Sequence, residues 1–565
     1  MTKKYQTRLG VSLIIVLFSI LLCLPQIITQ KAILGSDVLF HYNRFYETAM
    51  QIKTGQWHYF ISLFSFEQSG RIINALYGPI FAYFQGLLVL ISKNWLTYQI
   101  LSRILIGSIA GHSLYLLLRK IGVRLQYALP ISLFYLTTFS IQYWTIRQGF
   151  SSWGAAFYPL CLIPAFDFIQ TGKIKRRQLG MSVALMFQVH VLTSTFLVLS
   201  YLPFYFYGFI KSNEKLKILK DGIMAIAMFT LLTINIWLPL LQLSSQNELK
   251  QPFVNQRLAE YTISQLSSKL LFDPLPLIAL LGITLLAGVV YFRKSSPELK
   301  MTYLNLLIFL FLASSLFPWE SLVTAKITIV EIIQFPFRFF IPATIFLLIC
   351  LAMLVEKSQL SKSFYSVILM IALLMGVGQV IYTTQENFAK QFDTNQPVQR
   401  RKHMTYEGDA DAIRQAIFDP DKSKFLNLVH KSTPDYLPIY RKSSSNKYDL
   451  YEELVILPRK NFKTSVQNSQ LILEWTSDTD TKINLPIILY HHSTLTVNGQ
   501  VITSKDRQLT TIGTPYINQK KGKNVAILAY KTPMSFMIGL GITLLTWLGC
   551  IISFFKRKLN KNKPV

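Results

Sequence analysis

Apolar residues in this chain run in long blocks separated by short basic loops. The first covers 9–28 (LGVSLIIVLFSILLCLPQII). Further blocks fall near 77–92, 97–118, 126–144, 153–170, 179–192, 193–210, 221–242, 273–292, 302–317, 339–355, 363–382 and 533–555. Runs of about 18–25 apolar residues have the length of a membrane span. The pattern therefore predicts a polytopic α-helical membrane protein with about thirteen transmembrane segments. The first block follows Lys3, Lys4 and Arg8 and precedes no small-x-small cleavage pattern, so it reads as a retained span.

Basic clusters punctuate the blocks: Arg119, Lys120 and Arg124; Lys173, Lys175, Arg176 and Arg177; Lys211, Lys215, Lys217 and Lys220; Arg293 and Lys294; Lys357 and Lys362; and the tail from Lys556. The positive-inside rule puts all of them in the cytoplasm. One parity conflict follows. Three blocks, an odd number, separate the basic N-terminus from Arg119. One of the three must be re-entrant or split, or one cluster faces outward.

The polar stretches differ in kind. Residues 29–76 form a long loop after the first span, expected outside. Residues 383–531 change from apolar blocks to short alternating runs: Leu471–Trp475, Ile483–Tyr490, Ser493–Val497, Gln500–Thr503 and Asn524–Tyr530. Asn498-Gly499 between two alternating runs is a strong hairpin signal. This region reads as an extracytoplasmic β-sandwich-like domain. The expected organisation is a transmembrane module over 1–382, the β-rich domain over 383–531, and a last span with a basic tail over 532–565.

Composition sharpens this picture. Only 15% of the 565 residues are charged, where a soluble protein carries roughly a quarter. Lys and Arg number 57 against 28 Asp and Glu, a net charge of +29. In a polytopic protein this excess marks cytoplasmic loops and anionic lipid heads. No finger, basic helix or RNA-reading motif accompanies it, so nucleic acid is not expected as a partner. Cys23, Cys161, Cys350 and Cys550 each lie in a different apolar block and read as small buried side chains.

Four places hold residues able to do chemistry. Asp37, His41 and Arg44 stand at i, i+4 and i+7, one face of a helix. An acid, an imidazole and a guanidinium there could deprotonate an alcohol and hold a phosphate. They could equally begin an ordinary solvated helix, with Ser36 or Asp37 as its cap. Arg338, among aromatics in Gln334-Phe335-Pro336-Phe337-Arg338-Phe339, could snorkel to the interface or bind a lipid phosphate. Arg147 closes a span, and His190 lies deep in apolar sequence, where a hydrogen-bonded packing role competes with substrate binding. His491 and His492 read as surface positions of the β-rich domain. No P-loop and no internal repeat are visible, which argues against an ATP-driven or secondary transporter.

The combination of Gly35-Ser36-Asp37-x-x-Phe40-His41-x-x-Arg44, Tyr77-Gly78-Pro79 and Gln334-Phe335-Pro336-Phe337-Arg338 resembles the bacterial membrane proteins called 6-pyruvoyl-tetrahydropterin-synthase-related. The name is historical and implies no pterin chemistry. The architecture is similar to the C-type membrane glycosyltransferases (GT-C). The C-terminal β-region resembles the outside domain of a related group implicated in glycosylating Gram-positive wall polymers. The resemblance implies a multi-pass protein of the bacterial cytoplasmic membrane that takes sugar from a polyprenyl-phosphate donor. The acceptor would be a cell-wall or membrane polymer. Asp37 would be the base, with His41 beside it. Arg44, Arg147, His190 and Arg338 would bind substrate. A single aspartate is thin ground for a divalent metal ion, which the sequence permits but does not require. Two departures stand out. Relatives often carry a Glu shortly after the arginine matching Arg147, and Gln148–Trp153 contains no acid. A tryptophan frequent in the Gln-Phe-Pro segment is Phe337 here. The missing acid keeps a rival reading open: a non-catalytic scaffold or transporter of lipid-linked envelope polymers.

Overall fold

The computed structural model describes residues 3–253, 255–264, 271–358, 362–398, 403–442 and 444–561. Contacts group the chain into two compact units, each assembled from separate stretches. One comprises Met1–Asp37, Leu96–Ala227 and Val254–Gln399; the other comprises Val38–Trp95, Met228–Phe253 and Arg400–Val565. The stretch after the first span thus groups with the β-rich region and not with its sequence neighbours.

The expectation of about thirteen spans is not met. Among the described residues, eight helices are long and apolar enough to cross a membrane: Gln6–Thr29, Trp95–Lys120, Ser151–Thr171, Val191–Lys211, Pro276–Lys294, Pro336–Lys357, Ser363–Gln391 and Met534–Lys556. The pair Lys215–Leu232 and Ile234–Gln246, bent by 70°, would make a ninth. The other four blocks fall short for local reasons. Pro79–Ile91 has 13 residues, about 20 Å of helix against a hydrocarbon core of about 30 Å. Block 126–144 breaks at Thr138 into helices Leu125–Thr137 and Phe139–Arg147. Block 179–192 stops at His190 after 14 helical residues, and block 302–317 contributes to a 17-residue helix, Pro297–Ala313. The short Pro79–Ile91 also removes the parity conflict. Two candidate spans then separate the N-terminus from Arg119, so both basic clusters can share a side.

In the first unit, helix Phe340–Lys357 is central. It is apolar all round and packs against Leu125–Thr137, Pro276–Tyr291 and Pro297–Ala313. Some 89% of its span is buried, against 22% for the next helix, Ser363–Gln391. Cys23, Cys161 and Cys350 are free thiols in buried positions, and Cys550 is half-buried.

The second unit carries the strands, all paired antiparallel: β1 (Met404–Tyr406), β2 (Val429–Lys431), β3 (Lys463–Gln467), β4 (Gln470–Ser477), β5 (Lys482–Asn484), β6 (Ser493–Val497), β7 (Gln500–Ile502), β8 (Gln508–Leu509), β9 (Pro515–Asn518) and β10 (Gly522–Tyr530). β1 pairs β2; a five-stranded sheet runs β3-β4-β10-β6-β7; a three-stranded sheet runs β5-β9-β8. The hairpin at Asn498-Gly499 is present. Val497 faces Gln500, and both turn residues have positive φ, 48° and 82°, as a type I′ turn requires. Alternation sets the buried face: Leu471 and Leu473 of β4, Leu495 and Val497 of β6, and Ala526 and Leu528 of β10 share one core. The expected strand Ile483–Tyr490 is a strand only at Lys482–Asn484. Residues 485–490 are buried yet irregular, and their backbone bonds to the start of β9 and to loops: Leu485 to Pro515 O, Ile488 to Ser69 O and Leu489 to Gly513 O. A buried apolar run looks like a strand whether or not a ladder is available to it.

Candidate functional site

Asp37 ends an irregular segment that leaves the first span and immediately precedes helix Val38–Thr54. It stands before that helix and not within it, so it does not share a helical face with His41 and Arg44. Its backbone N–H donates to Arg147 O at 3.1 Å, and Gly35 N–H donates to Gln148 Oε1 at 2.7 Å. The glycine is required there. A Cβ at Gly35 would lie 2.5 Å from both Arg147 Cα and Gln148 Oε1. Arg147 is the last residue of helix Phe139–Arg147, and Gln148 follows in the left-handed region at φ 54°, returning its N–H to Trp144 O. Among the described residues, neither the Asp37 carboxylate nor the Arg147 guanidinium makes an ion pair or a hydrogen bond. Both side chains are half-buried.

The other two predicted residues of this unit lie on elements that pack near Arg147. Arg338 sits in the turn Pro336–Phe339, donates to Ile333 O at 3.1 Å and Gln334 Oε1 at 3.0 Å, and stacks 5.0 Å over Phe335. The neighbouring Phe337 packs edge-on against Phe139 and Tyr143 of the helix that ends at Arg147. His190 links two helices in extended conformation and pairs with Thr193 Oγ1 at 2.6 Å through Nδ1. Its ring lies 5.9 Å from Phe150, three residues after Arg147. Aromatic contacts thus connect Arg147 to the surroundings of Arg338 and His190. Among the described residues, no salt bridge joins Arg147 to a carboxylate.

His41 and Arg44 belong to the second unit. Arg44 is fully buried, donating through Nε to Asn74 Oδ1 at 3.1 Å and through Nη2 to Tyr77 O, with His41 Nδ1 at 3.4 Å. Its guanidinium lies 5.2 Å from the Tyr77 ring. The Tyr77-Gly78-Pro79 motif is therefore tied to helix Val38–Thr54 by this arginine, a structural task that the spacing did not reveal.

The sequence reading missed two carboxylates that organise the loop after that helix. Glu47 is buried and accepts from Leu63 N, Phe64 N, Ser65 N, Ser65 Oγ and Gln51 Nε2, all within 2.8–3.1 Å. Burial pushes its carboxyl up, and these donors pull against it. Glu67 faces His430 Nδ1 at 3.2 Å and accepts from Tyr451 OH at 2.6 Å; Arg459 Nε donates to its carbonyl at 2.7 Å. The other imidazole nitrogen, Nε2, faces Asn427 O at 3.1 Å and Glu407 Oε1 at 3.7 Å. Both ring nitrogens meet acceptors only, so the ring satisfies them as an imidazolium. The turn so held is strained: Phe66, Glu67 and Gln68 have φ of 50°, 58° and 50°. A small polar cavity beside it is lined by Asn43, Ser65, Gln68 and Arg459. No sequence signal joins Glu67 to His430, 363 positions away.

Among the described residues, no group of three or more His, Cys, Asp or Glu could hold a metal ion. His491 is exposed and His492 half-buried, in line with surface positions.

No protein-family model matches the chain, and no curated protein does. Two similar solved structures are crystal structures of the Archaeoglobus fulgidus oligosaccharyltransferase. One is tethered by a disulfide bond to an acceptor peptide containing the NVT sequon, and the other is the apo form. Identity is 14% in both, with TM-scores of 0.35 and 0.34 over 78% of this chain. The matches span 61% and 62% of the oligosaccharyltransferase, and a likeness of this size assigns neither a fold nor an activity to the chain.

Proposed function

We propose that the chain is a membrane glycosyltransferase that moves a sugar from a polyprenyl-phosphate donor to a cell-envelope acceptor outside the bacterial cytoplasmic membrane. One observation carries the reading. Asp37 is seated on the backbone of Arg147, and neither side chain is engaged by a counter-charge among the described residues. A carboxylate held in place without a partner can accept a proton. In this reaction the acceptor hydroxyl gives its proton to Asp37 and its oxygen bonds to the anomeric carbon. The bond from that carbon to the phosphate oxygen breaks, and negative charge collects on the phosphate. Arg147 and Arg338 neutralise it in a water-poor setting, where fixed guanidinium groups act strongly. His190 serves as an orienting residue. The strand-bearing part of 383–531, beyond the candidate span that ends at Gln391, lies outside.

The test is loss of one carboxylate. Asp37→Asn abolishes sugar incorporation into the envelope polymer while the protein persists in the membrane. Arg338→Lys impairs incorporation, because lysine lacks the bidentate fork. Normal incorporation by Asp37→Asn favours the second reading, a scaffold or transporter of lipid-linked polymers, to which the acid-free stretch Gln148–Trp153 also points. Orientation is checked separately. A cysteine at the exposed Ser444, in a background lacking the four native cysteines, reacts with an impermeant thiol reagent in intact cells. Labelling only after lysis refutes the outside placement.

A further inference from the structure

The segment that delivers Asp37 has no ladder or helix of its own, yet its backbone polar groups are buried and must be satisfied. Side-chain amides satisfy them. Ile33 N–H donates to Gln99 Oε1 at 2.9 Å, and Gln99 Nε2 returns a bond to Ile33 O at 2.7 Å. Gln148 repeats the pattern one step on: its Nε2 donates to Ile33 O at 3.1 Å, and its Oε1 accepts from Gly35 N–H at 2.7 Å. Behind them, Gln26 Nε2 donates to Gln99 Oε1, and Arg103 Nη1 donates to Gln26 Oε1 at 2.8 Å. Arg103 is anchored in turn on Leu22 O at 3.2 Å. Gln26, Gln99, Arg103 and Gln148 are all 4% exposed or less.

Four buried polar side chains among apolar helices are costly unless each bond is made. An amide suits this site because it both donates and accepts. A carboxylate could not reach the Ile33 carbonyl as a donor, and an aliphatic side chain would leave Gly35 N–H without its acceptor. The chain of bonds runs from the first span through helix Trp95–Lys120 to the residue after Arg147, and it ends at Gly35, two residues before Asp37.

We propose that Gln148 and Gln99 are positioning residues for Asp37: they fix residues 33–37 on the end of helix Phe139–Arg147 and so set where the carboxylate stands. The inference rests on the glycosyl-transfer reading for its catalytic consequence, and on the bonds above for its structural one.

Two measurements on the full chain separate these. Hydrogen exchange in lipid nanodiscs reads the clamp, and sugar incorporation in cells reads the consequence. Gln148→Leu speeds exchange in 33–37 by about fivefold or more for the bonds lost, with helices Trp95–Lys120 and Ser151–Thr171 unchanged. It also lowers incorporation toward that of Asp37→Asn. Gln148→Glu keeps the acceptor for Gly35 and restores part of both. Gln99→Leu, which removes the two bonds to Ile33, gives the same pair of effects by an independent route. Exchange unchanged in both leucine variants overturns the clamp. Faster exchange with wild-type incorporation, where Asp37→Asn is inactive, overturns the positioning role. Wild-type incorporation by Asp37→Asn sinks the glycosyl-transfer reading instead, and the exchange data still decide the clamp.

Discussion

Two irregular turns in this protein are held by opposite means. Residues 33–37, in the first unit, are fixed by neutral amides and one backbone bond, which leave the Asp37 carboxylate unpaired among the described residues. Residues 66–68, in the second, are fixed by the carboxylate itself: Glu67 is engaged by His430 and Tyr451 while its backbone runs through three left-handed residues. The difference separates two uses of an acid. A carboxylate that holds structure is buried and surrounded by donors; one placed for chemistry is held by the backbone around it. By that criterion Glu67 and Glu47 are structural, and Asp37 is the candidate base.

The largest effect expected from this contrast is at Glu67. Removing one partner of a buried ion pair leaves the other uncompensated, so Glu67→Ala destabilises the strand-bearing unit by about 3–5 kcal/mol. Faster hydrogen exchange across β3, β4 and β10 checks it. A small change there would mean that the left-handed turn is held by packing alone.

The pH dependence of the same turn comes next. Burial disfavours the charged imidazole of His430, but Glu67 and Glu407 outweigh burial and the nearby Arg459, and its value stands above the ordinary one. Burial likewise pushes Glu67 up, and His430, Tyr451 and Arg71 bring it below its usual range. A raised histidine contributes stability that is complete below its unfolded value of about 6.5 and is lost as pH rises through the raised value. A depressed glutamate contributes stability present above its unfolded value of about 4.3 and lost as pH falls through the depressed one. Protection of 66–69, measured against the intrinsic exchange rate at each pH, is therefore greatest between those limits and falls toward alkaline pH. His430→Gln removes that alkaline fall in protection. An unchanged profile in the variant would assign it to another group.

A third turn, Asn498-Gly499, serves as a reference held by a neutral amide and no carboxylate: Asn498 donates to Asn524 Oδ1 at 2.8 Å and accepts from Val525 N–H at 2.9 Å. A Cβ at Gly499 meets nothing within 4 Å, so Gly499→Ala pays only for its positive φ, about 1–2 kcal/mol. Thermal unfolding of the strand-bearing unit reads this value. The smallest effect is at Asp37. With no partner to lose, Asp37→Asn shifts stability by less than about 0.5 kcal/mol. A shift of several kcal/mol would place Asp37 with Glu67 as a structural acid and dissolve the contrast.

Sequence alone determined the features that depend on local pattern. The thirteen apolar blocks included all eight helices that, among the described residues, are long and apolar enough to span, because a bilayer demands a fixed run of apolar residues. Period-two alternation and Asn498-Gly499 located β4, β6, β7 and β10, because both signals lie within a few residues of the backbone they shape. Tertiary structure decided the rest. Whether an apolar block spans depends on breaks such as Thr138 and His190, which block length cannot register. Which span lies innermost depends on neighbours: Phe340–Lys357 and Ser363–Gln391 are both strongly apolar, yet only the first is enclosed. The seating of Asp37 on Arg147 and the pairing of Glu67 with His430 each join residues more than 100 positions apart. Their geometry follows from packing between distant segments, to which no local periodicity corresponds.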